Sequence, residues 1–257
     1  MIKLVATDID GTLLQSGERE VPEAVFVQID RLLKKGILFA AASGRQYSNL
    51  KNLFAPKAEE MTFLCENGAI LYQKDQILKK RPMPRSRAEV LAKQILANDD
   101  MEVLISGANT SYLMPKHDDY IYHIQYFLGN RVEIVRSLDE IKEDMIKVSA
   151  YCRSGAAKYD KPFGDPWRGE FSVAVAGEKW LDFMLSDKGT GMRDLCSVLG
   201  ISLEDVIAIG DNYNDLPMLT EVGHPWIMKN STLDQAGFAQ SHGFLRAESV
   251  EEILKEL

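Results

Sequence analysis

The chain has 257 residues, 46% of them hydrophobic and 26% charged, which suffices for a sizeable core in one large domain or in a core carrying an insert. Its 38 acidic and 30 basic residues give a net charge of −8, which argues against a general nucleic-acid binder but leaves room for a small anionic substrate in a local pocket. No stretch approaches the roughly 20 apolar residues of a membrane span. The opening MIKLVATDID ends in acids rather than in a secretory cleavage site, and three distant cysteines without a C-x-x-C pair read as reduced thiols of a cytoplasmic protein.

In chain order, Ile2–Thr7 is an apolar, β-forming run that reads as a buried strand and leads into Asp8-Ile9-Asp10-Gly11-Thr12. A helix is predicted from about Pro22, with Val25, Ile29, Leu32 and Leu33 on one face and Gly36 at its end. Ile37–Ala42 is a second strand, ending at Ser43-Gly44-Arg45. A helix over Tyr47–Phe54 follows, then a strand over Met61–Cys65 ending at Glu66-Asn67-Gly68. Strands alternating with helices predict a parallel sheet with right-handed crossovers.

The pattern breaks at Lys79-Lys80-Arg81-Pro82-Met83-Pro84, where two prolines and clustered charge suggest a hinge. Ser86-Arg87-Ala88-Glu89 has the form of a capping box before a helix with Ala88, Leu91, Ala92, Ile95 and Leu96 on one face. Strands are predicted at Val103–Ile105, Ser111–Met114, Lys147–Cys152, Phe171–Ala176 and Trp180–Leu185, a helix over Tyr120–Leu128, and a long loop over Ala157–Arg168. This mixture reads as a separate α+β domain. The regular alternation resumes at Asp187-Lys188-Gly189, with a helix carrying Met192, Leu195 and Leu199, a strand over Val206–Ile209 before Gly210-Asp211-Asn212-Tyr213-Asn214-Asp215, and a strand over Pro225–Met228 before Lys229-Asn230-Ser231. Ser249 caps a last helix whose apolar face is Val250, Ile253, Leu254 and Leu257. The expected architecture is α/β: a Rossmann-like parallel-sheet core of residues 1–82 and 187–257, with an inserted α+β domain of residues 83–186.

Asp8/Asp10, Ser43 and Asp211/Asp215 each follow an apolar run, and in an open α/β sheet the carboxyl ends of the strands form the ligand crevice. In extended backbone Asp8 and Asp10 point the same way, unless the chain turns between them. Two close carboxylates either share a proton or neutralise a divalent cation. Ser43 before a helix suits an anion, or is a plain cap. Lys188 at a helix start can reach a phosphate as a point charge. Asp211 and Asp215 offer the hard oxygens of a Mg²⁺ site. The histidines show no zinc-ligand spacing.

These four segments, in this order, resemble the motifs of the haloacid dehalogenase superfamily, and within it the Cof-type phosphatases. An insert between the second and third motifs resembles the large α/β cap, of type IIB, which in that family covers the crevice and sets specificity. The resemblance implies Asp8 as the nucleophile that takes up the phosphoryl group and Asp10 as general acid, then base. It implies Mg²⁺ held by Asp8, Asp10 through its backbone carbonyl, and Asp211, with Asp215 in support. Ser43, Gly44, Lys188 and Asn214 would bind phosphate, and Asn67 and Asn230 would lie near the site. Gly107-Ala108-Asn109-Thr110, Lys116-His117, Lys147, Arg153 and Lys179 are polar or basic cap positions, each a candidate to meet a substrate or a plain solvated surface residue. The implied reaction is Mg²⁺-dependent hydrolysis of a small phosphorylated metabolite, a sugar phosphate or phosphorylated cofactor, by a cytoplasmic monomer or homodimer without nucleic-acid or membrane partners. The same motifs serve a phosphomutase, and a phospho-aspartate receiver would share Asp8. A dehalogenase is disfavoured by the acidic cluster and Lys188.

Overall fold

A computed structural model describes residues 1–108 and 110–257; Asn109, among the polar cap positions singled out above, lies outside the described residues. The strands are β1 (Leu4–Thr7), β2 (Leu38–Ala42), β3 (Thr62–Cys65), β4 (Ile70–Gln73), β5 (Gln76–Lys80), β6 (Met101–Ser106), β7 (Ser111–Leu113), β8 (Val132–Ile134), β9 (Lys147–Cys152), β10 (Ser172–Ala176), β11 (Trp180–Met184), β12 (Val206–Gly210), β13 (His224–Met228) and β14 (Leu245–Ala247). The longer helices are α1 (Glu23–Lys34), α2 (Tyr47–Leu53) and α3 (Arg85–Leu96), then, after the short α4 (Asp118–Tyr122) and α5 (Ala157–Tyr159), α6 (Lys188–Leu199). Among the described residues the chain divides into two units, Met1–Lys79 with Asp187–Leu257, and Lys80–Ser186.

The first unit is built on a sheet in the order β14-β13-β12-β1-β2-β3-β4-β5. Its strands from β14 to β3 run parallel, and β4 turns back antiparallel on β3. Leu4, Val5 and Ala6 of β1 are fully buried, as a strand covered on both faces must be. β1 lies between β12 and β2 in register, Thr7 opposite both Ile209 and Ala41. Segments leaving β1, β2 and β12 therefore emerge side by side at the carboxyl edge. β4, β5 and β14 escaped the sequence reading: β4 lies directly behind the Glu66-Asn67-Gly68 turn, and β5 and β14 are largely exposed, so no separate apolar run marks them.

Two cap assignments change. Gln46, not Ser43, is the N-cap of α2, and its side chain makes no capping hydrogen bond; Ser43 is held inside the preceding loop instead. Ser86 does not cap α3, which begins at Arg85 behind Pro84. There the fixed φ of proline starts the helix, and Glu89 accepts from Arg85 Nε at 2.9 Å. Ser249 does cap the last helix, accepting from Glu252 N.

At the start of α6 two backbones touch. A Cβ on Gly191 would lie 2.5 Å from the Cα of Gly68, and one on Gly68 (φ +88°) would lie 2.5 Å from the Asp187 carbonyl oxygen. Neither neighbour is a flexible side-chain end, so Gly191→Ala is expected to destabilise the protein by about 1–3 kcal/mol, read as a lower urea midpoint at unchanged slope. An unchanged midpoint would show that α6 can shift away from this loop.

The second unit is a sheet in the order β10-β11-β9-β6-β7-β8, antiparallel except for the β7–β8 pair. Alternation along β6, β9 and β11 puts Val103, Ile105, Val148, Ala150, Leu181 and Phe183 on one face, where Ala88, Leu91, Ala92 and Ile95 of α3 close over them. Residues 157–168 are not a loop. They form α5 and two further single turns, Asp160–Gly164 and Asp165–Trp167, because Trp167 is buried, stacked on Phe171 and roofed by the Arg87 guanidinium. The helix expected over Tyr120–Leu128 is α4 followed by a wider turn, His123–Phe127. No helix among the described residues is long and apolar enough to cross a membrane.

Candidate active site

Asp8 follows the last residue of β1, its N–H bound to Ile209 O at 2.9 Å. Lys188 is the first residue of α6, behind the N-cap Asp187, whose carboxylate accepts from Thr190 N at 2.7 Å. The two lie 180 residues apart, yet Lys188 Nζ donates to Asp8 Oδ1 at 2.5 Å and to Asp215 Oδ1 at 2.5 Å. The ammonium is fully buried. The second oxygen of Asp215 accepts the N–H groups of Asp211 and Asn212 at 3.0 and 3.1 Å, which ties the loop after β12 to its own carboxylate. A Cβ on Gly210 would fall 2.5 Å from Asp215 Cβ, so only glycine lets this loop close. Asp211 accepts from Thr12 Oγ1 at 3.1 Å, joining it to the segment after β1.

Oxygens of Asp8, Asp211 and Asp215 lie within 4.8 Å of one another. Burial and the neighbouring charge of Asp215 push the Asp8 carboxyl up from 3.8 to about 8, against the opposing pull of Lys188. The same two causes raise Asp211 to about 6. Burial pulls Lys188 down, but the Asp215 and Asp8 carboxylates outweigh it and hold the ammonium above its ordinary value. One monocation among three crowded carboxylates leaves negative charge unbalanced. A set of hard oxygen donors in that condition suits a divalent cation such as Mg²⁺.

Asp10 is elsewhere. Strand alternation stops at Thr7, and the chain turns through Ile9–Leu14, where Leu14 N donates to Ile9 O at 2.8 Å. The Asp10 side chain is 60% exposed and pairs with Arg45, not with Asp8 or Lys188. The chain thus turns between Asp8 and Asp10, the alternative to a shared direction, and the Asp10 carboxylate lies outside the three-acid group. Arg45, the last residue of Ser43-Gly44-Arg45, is a partner of the site that sequence reasoning misses. Its position directly after Ser43-Gly44 was the available signal.

Ser43 is buried, its Oγ accepting from Arg45 N at 3.2 Å and its backbone oxygen from Asn67 N at 3.0 Å. Gly44 lies against the Asn67 amide, 3.2 Å from where a Cβ would sit. Asn67 belongs to a run of left-handed backbone, Glu66 (φ 50°), Asn67 (φ 52°) and Gly68 (φ 88°), a conformation that persists only when its surroundings enforce it. Asn214 is exposed in the turn before Asp215. Asn230 (φ 62°) is exposed as well, its N–H bound to Asp234 Oδ2 at 3.0 Å. The structure therefore brings together Asp8, Lys188, Asp211 and Asp215, and links Ser43, Gly44 and Asn67 in the loops after β2 and β3.

In the second unit the predicted polar positions serve the unit's own packing. Gly107 N donates to Thr110 O at 2.8 Å. Lys116 Nζ donates to the Asn98 and Met101 carbonyls. His117 and Arg153 both bind the buried Glu102, Lys147 faces Asp182 at 3.4 Å, and Lys179 lies over the Tyr151 ring.

A family model for haloacid dehalogenase-like hydrolases matches residues 5–236. The chain belongs to the haloacid dehalogenase-like hydrolases. Over 233 residues it is 26% identical to the 5-amino-6-(5-phospho-D-ribitylamino)uracil phosphatase YbjI of Escherichia coli (strain K12), covering 90% of this chain and 86% of that protein. It is also 26% identical, over 246 residues, to the HMP-PP phosphatase of Serratia proteamaculans (strain 568), covering 90% and 85%. Its fold is shared with a subclass IIB sugar phosphatase of the superfamily, at a TM-score of 0.80, 18% identity, and coverage of 99% of this chain and 98% of that one.

Proposed function

We propose that this haloacid dehalogenase-like hydrolase is a Mg²⁺-dependent phosphatase that removes the phosphoryl group of a small phosphorylated metabolite through a phosphorylated Asp8. The observation that carries the reading is Lys188, buried between Asp8 and Asp215 with Asp211 in reach of both carboxylates. Its ammonium orients one Asp8 oxygen and offsets the charge that builds on the non-bridging oxygens of the transferring group. Asp8 attacks phosphorus as the bond to the leaving oxygen breaks, and Asp10 gives that oxygen its proton. Water then attacks the acyl phosphate, Asp10 takes the water's proton, and inorganic phosphate leaves with Asp8 restored. Ser43 and the backbone around Gly44 hold the phosphoryl oxygens. Asp8, the Asp10 carbonyl, Asp211 and Asp215 would hold Mg²⁺, which when bound polarises the phosphoryl oxygens and neutralises the acidic group. The inserted unit carries the substrate preference, and the three buried free thiols, Cys65, Cys152 and Cys196, fit a cytoplasmic enzyme.

A panel of phosphorylated metabolites assayed for phosphate release, with Mg²⁺ or with EDTA, tests the reading. Release is expected to need the metal, and Asp211→Asn is expected to raise the Mg²⁺ concentration for half-activity about 10–100-fold. The same substitution should shrink the rise in melting temperature that Mg²⁺ gives without substrate. Full activity in EDTA would reject the metal. Passage of labelled phosphate to an added sugar in place of water would favour the phosphomutase.

A further inference from the structure

Asp10 stands on a turn whose backbone is fixed while its carboxylate is largely in solvent. Its partner is a guanidinium with both edges in use. Arg45 Nε and Nη2 grip the two Asp10 oxygens, at 2.9 and 2.5 Å, and Nη1 donates to Asn49 Oδ1 at 3.0 Å, on the first turns of α2. The Arg45 backbone is anchored as well. Its N–H reaches Ser43 Oγ and its carbonyl accepts Glu66 N at 3.1 Å, on the left-handed segment beside Asn67. An exposed ion pair adds little to stability, because holding two long side chains in one geometry costs most of what the charges gain. A two-pronged grip, locked from behind by a helix, does fix direction.

We propose that Arg45, braced by Asn49, is a positioning residue: as Asp10 takes up a proton from solvent, one of its oxygens leaves the guanidinium while the other stays held, and the freed O–H gives that proton to the leaving oxygen. The inference rests on the reading of Asp10 as general acid. A misdirected acid harms only reactions whose leaving group needs a proton, whereas loss of phosphate binding or of folding harms every substrate alike.

The experiment is a series of aryl phosphates of similar shape and rising leaving-group basicity, from 4-nitrophenyl through 4-chlorophenyl and phenyl to 4-methoxyphenyl phosphate, with kcat/KM reporting formation of the phospho-enzyme. For Asp10→Asn the loss should grow steeply along the series. Arg45→Met and Arg45→Lys should repeat that tilt, with kcat/KM for the 4-methoxyphenyl ester falling about 10-fold further than for the 4-nitrophenyl ester, since lysine keeps the charge but not the two-pronged grip. Asn49→Ala, which leaves Arg45 in place, should show the same tilt at about 3-fold and keeps the inference testable if the arginine variants fold poorly. A tilt in Asp10→Asn with equal losses along the series in the Arg45 and Asn49 variants would overturn the positioning role and leave Asp10 its own. No tilt in Asp10→Asn would overturn the role of Asp10 and the inference with it.

Discussion

Asp8→Asn is expected to abolish phosphate release from every substrate the wild-type protein accepts, by at least about three orders of magnitude in kcat. The amide keeps the shape of the carboxylate but cannot attack phosphorus, and no second carboxylate can replace it. Asp211 and Asp215 are committed to the loop after β12, one to Thr12 and the other to Lys188 and two backbone N–H groups. Asp10 is turned to Arg45. The variant should fold, because the change removes one of three crowded acids rather than their cation. Mass spectrometry of wild-type protein quenched in acid during turnover should find one added phosphate on the peptide carrying Asp8, absent from the variant. Turnover retained in Asp8→Asn, or phosphate trapped on another residue, would remove the covalent step.

Lys188→Met is expected to have the largest effect on stability. It leaves Asp8, Asp211 and Asp215 together without a cation, and breaking a buried ion pair by removing one partner costs about 3–5 kcal/mol. The cost depends on pH. Asp8 and Asp211 sit at about 8 and about 6 in the folded protein, above their ordinary 3.8. A carboxyl that binds its proton more tightly folded than unfolded favours folding at low pH. It loses that favour as pH climbs from its unfolded value through its folded one. Metal-free wild-type protein should therefore lose stability from about pH 4 to about pH 8, and the variant should lose more, because Lys188 no longer opposes the charges that form. Urea unfolding in EDTA at pH 5 and pH 8 measures both, and Mg²⁺ should restore more stability at pH 8 than at pH 5. A cost for Lys188→Met that is the same at both values would mean that the ammonium does not neutralise this acidic group.

Much of the site was legible because its parts are local signals. An apolar run followed by Asp-x-Asp-Gly-Thr, or by Gly-Asp-x-x-x-Asp, marks a strand that ends in a tight turn, and the run and the turn each leave a mark within a few residues. Helix starts were legible at Ser249, where a hydroxyl caps, and at Pro22, where proline's fixed φ does the work, but at Pro84 the Ser86-Arg87-Ala88-Glu89 pattern pointed past the proline. The reading over Ala157–Arg168 failed because prolines and glycines suggest a loop, while the turns there are held by Trp167 packing into a core that only the folded sheet supplies.

By itself the sequence determined the strands that carry the site, β1, β2, β3 and β12, where each ends to within a residue, and that acids and a hydroxyl stand at the ends of β1, β2 and β12 and an amine at the start of α6. Only the tertiary structure decided which ends adjoin. Hydrogen-bond pairing placed β12 beside β1, so that Asp211 meets Thr12 and Asp215 shares Lys188 with Asp8, 180 residues away. It also decided that the two acids of Asp8-Ile9-Asp10 part company, one drawn to a buried ammonium and the other to an exposed guanidinium. The reason is that strand and turn propensities act over a few bonds. The partner of a charge is chosen by which backbone edge closes against which, and no local stretch of chain encodes that choice.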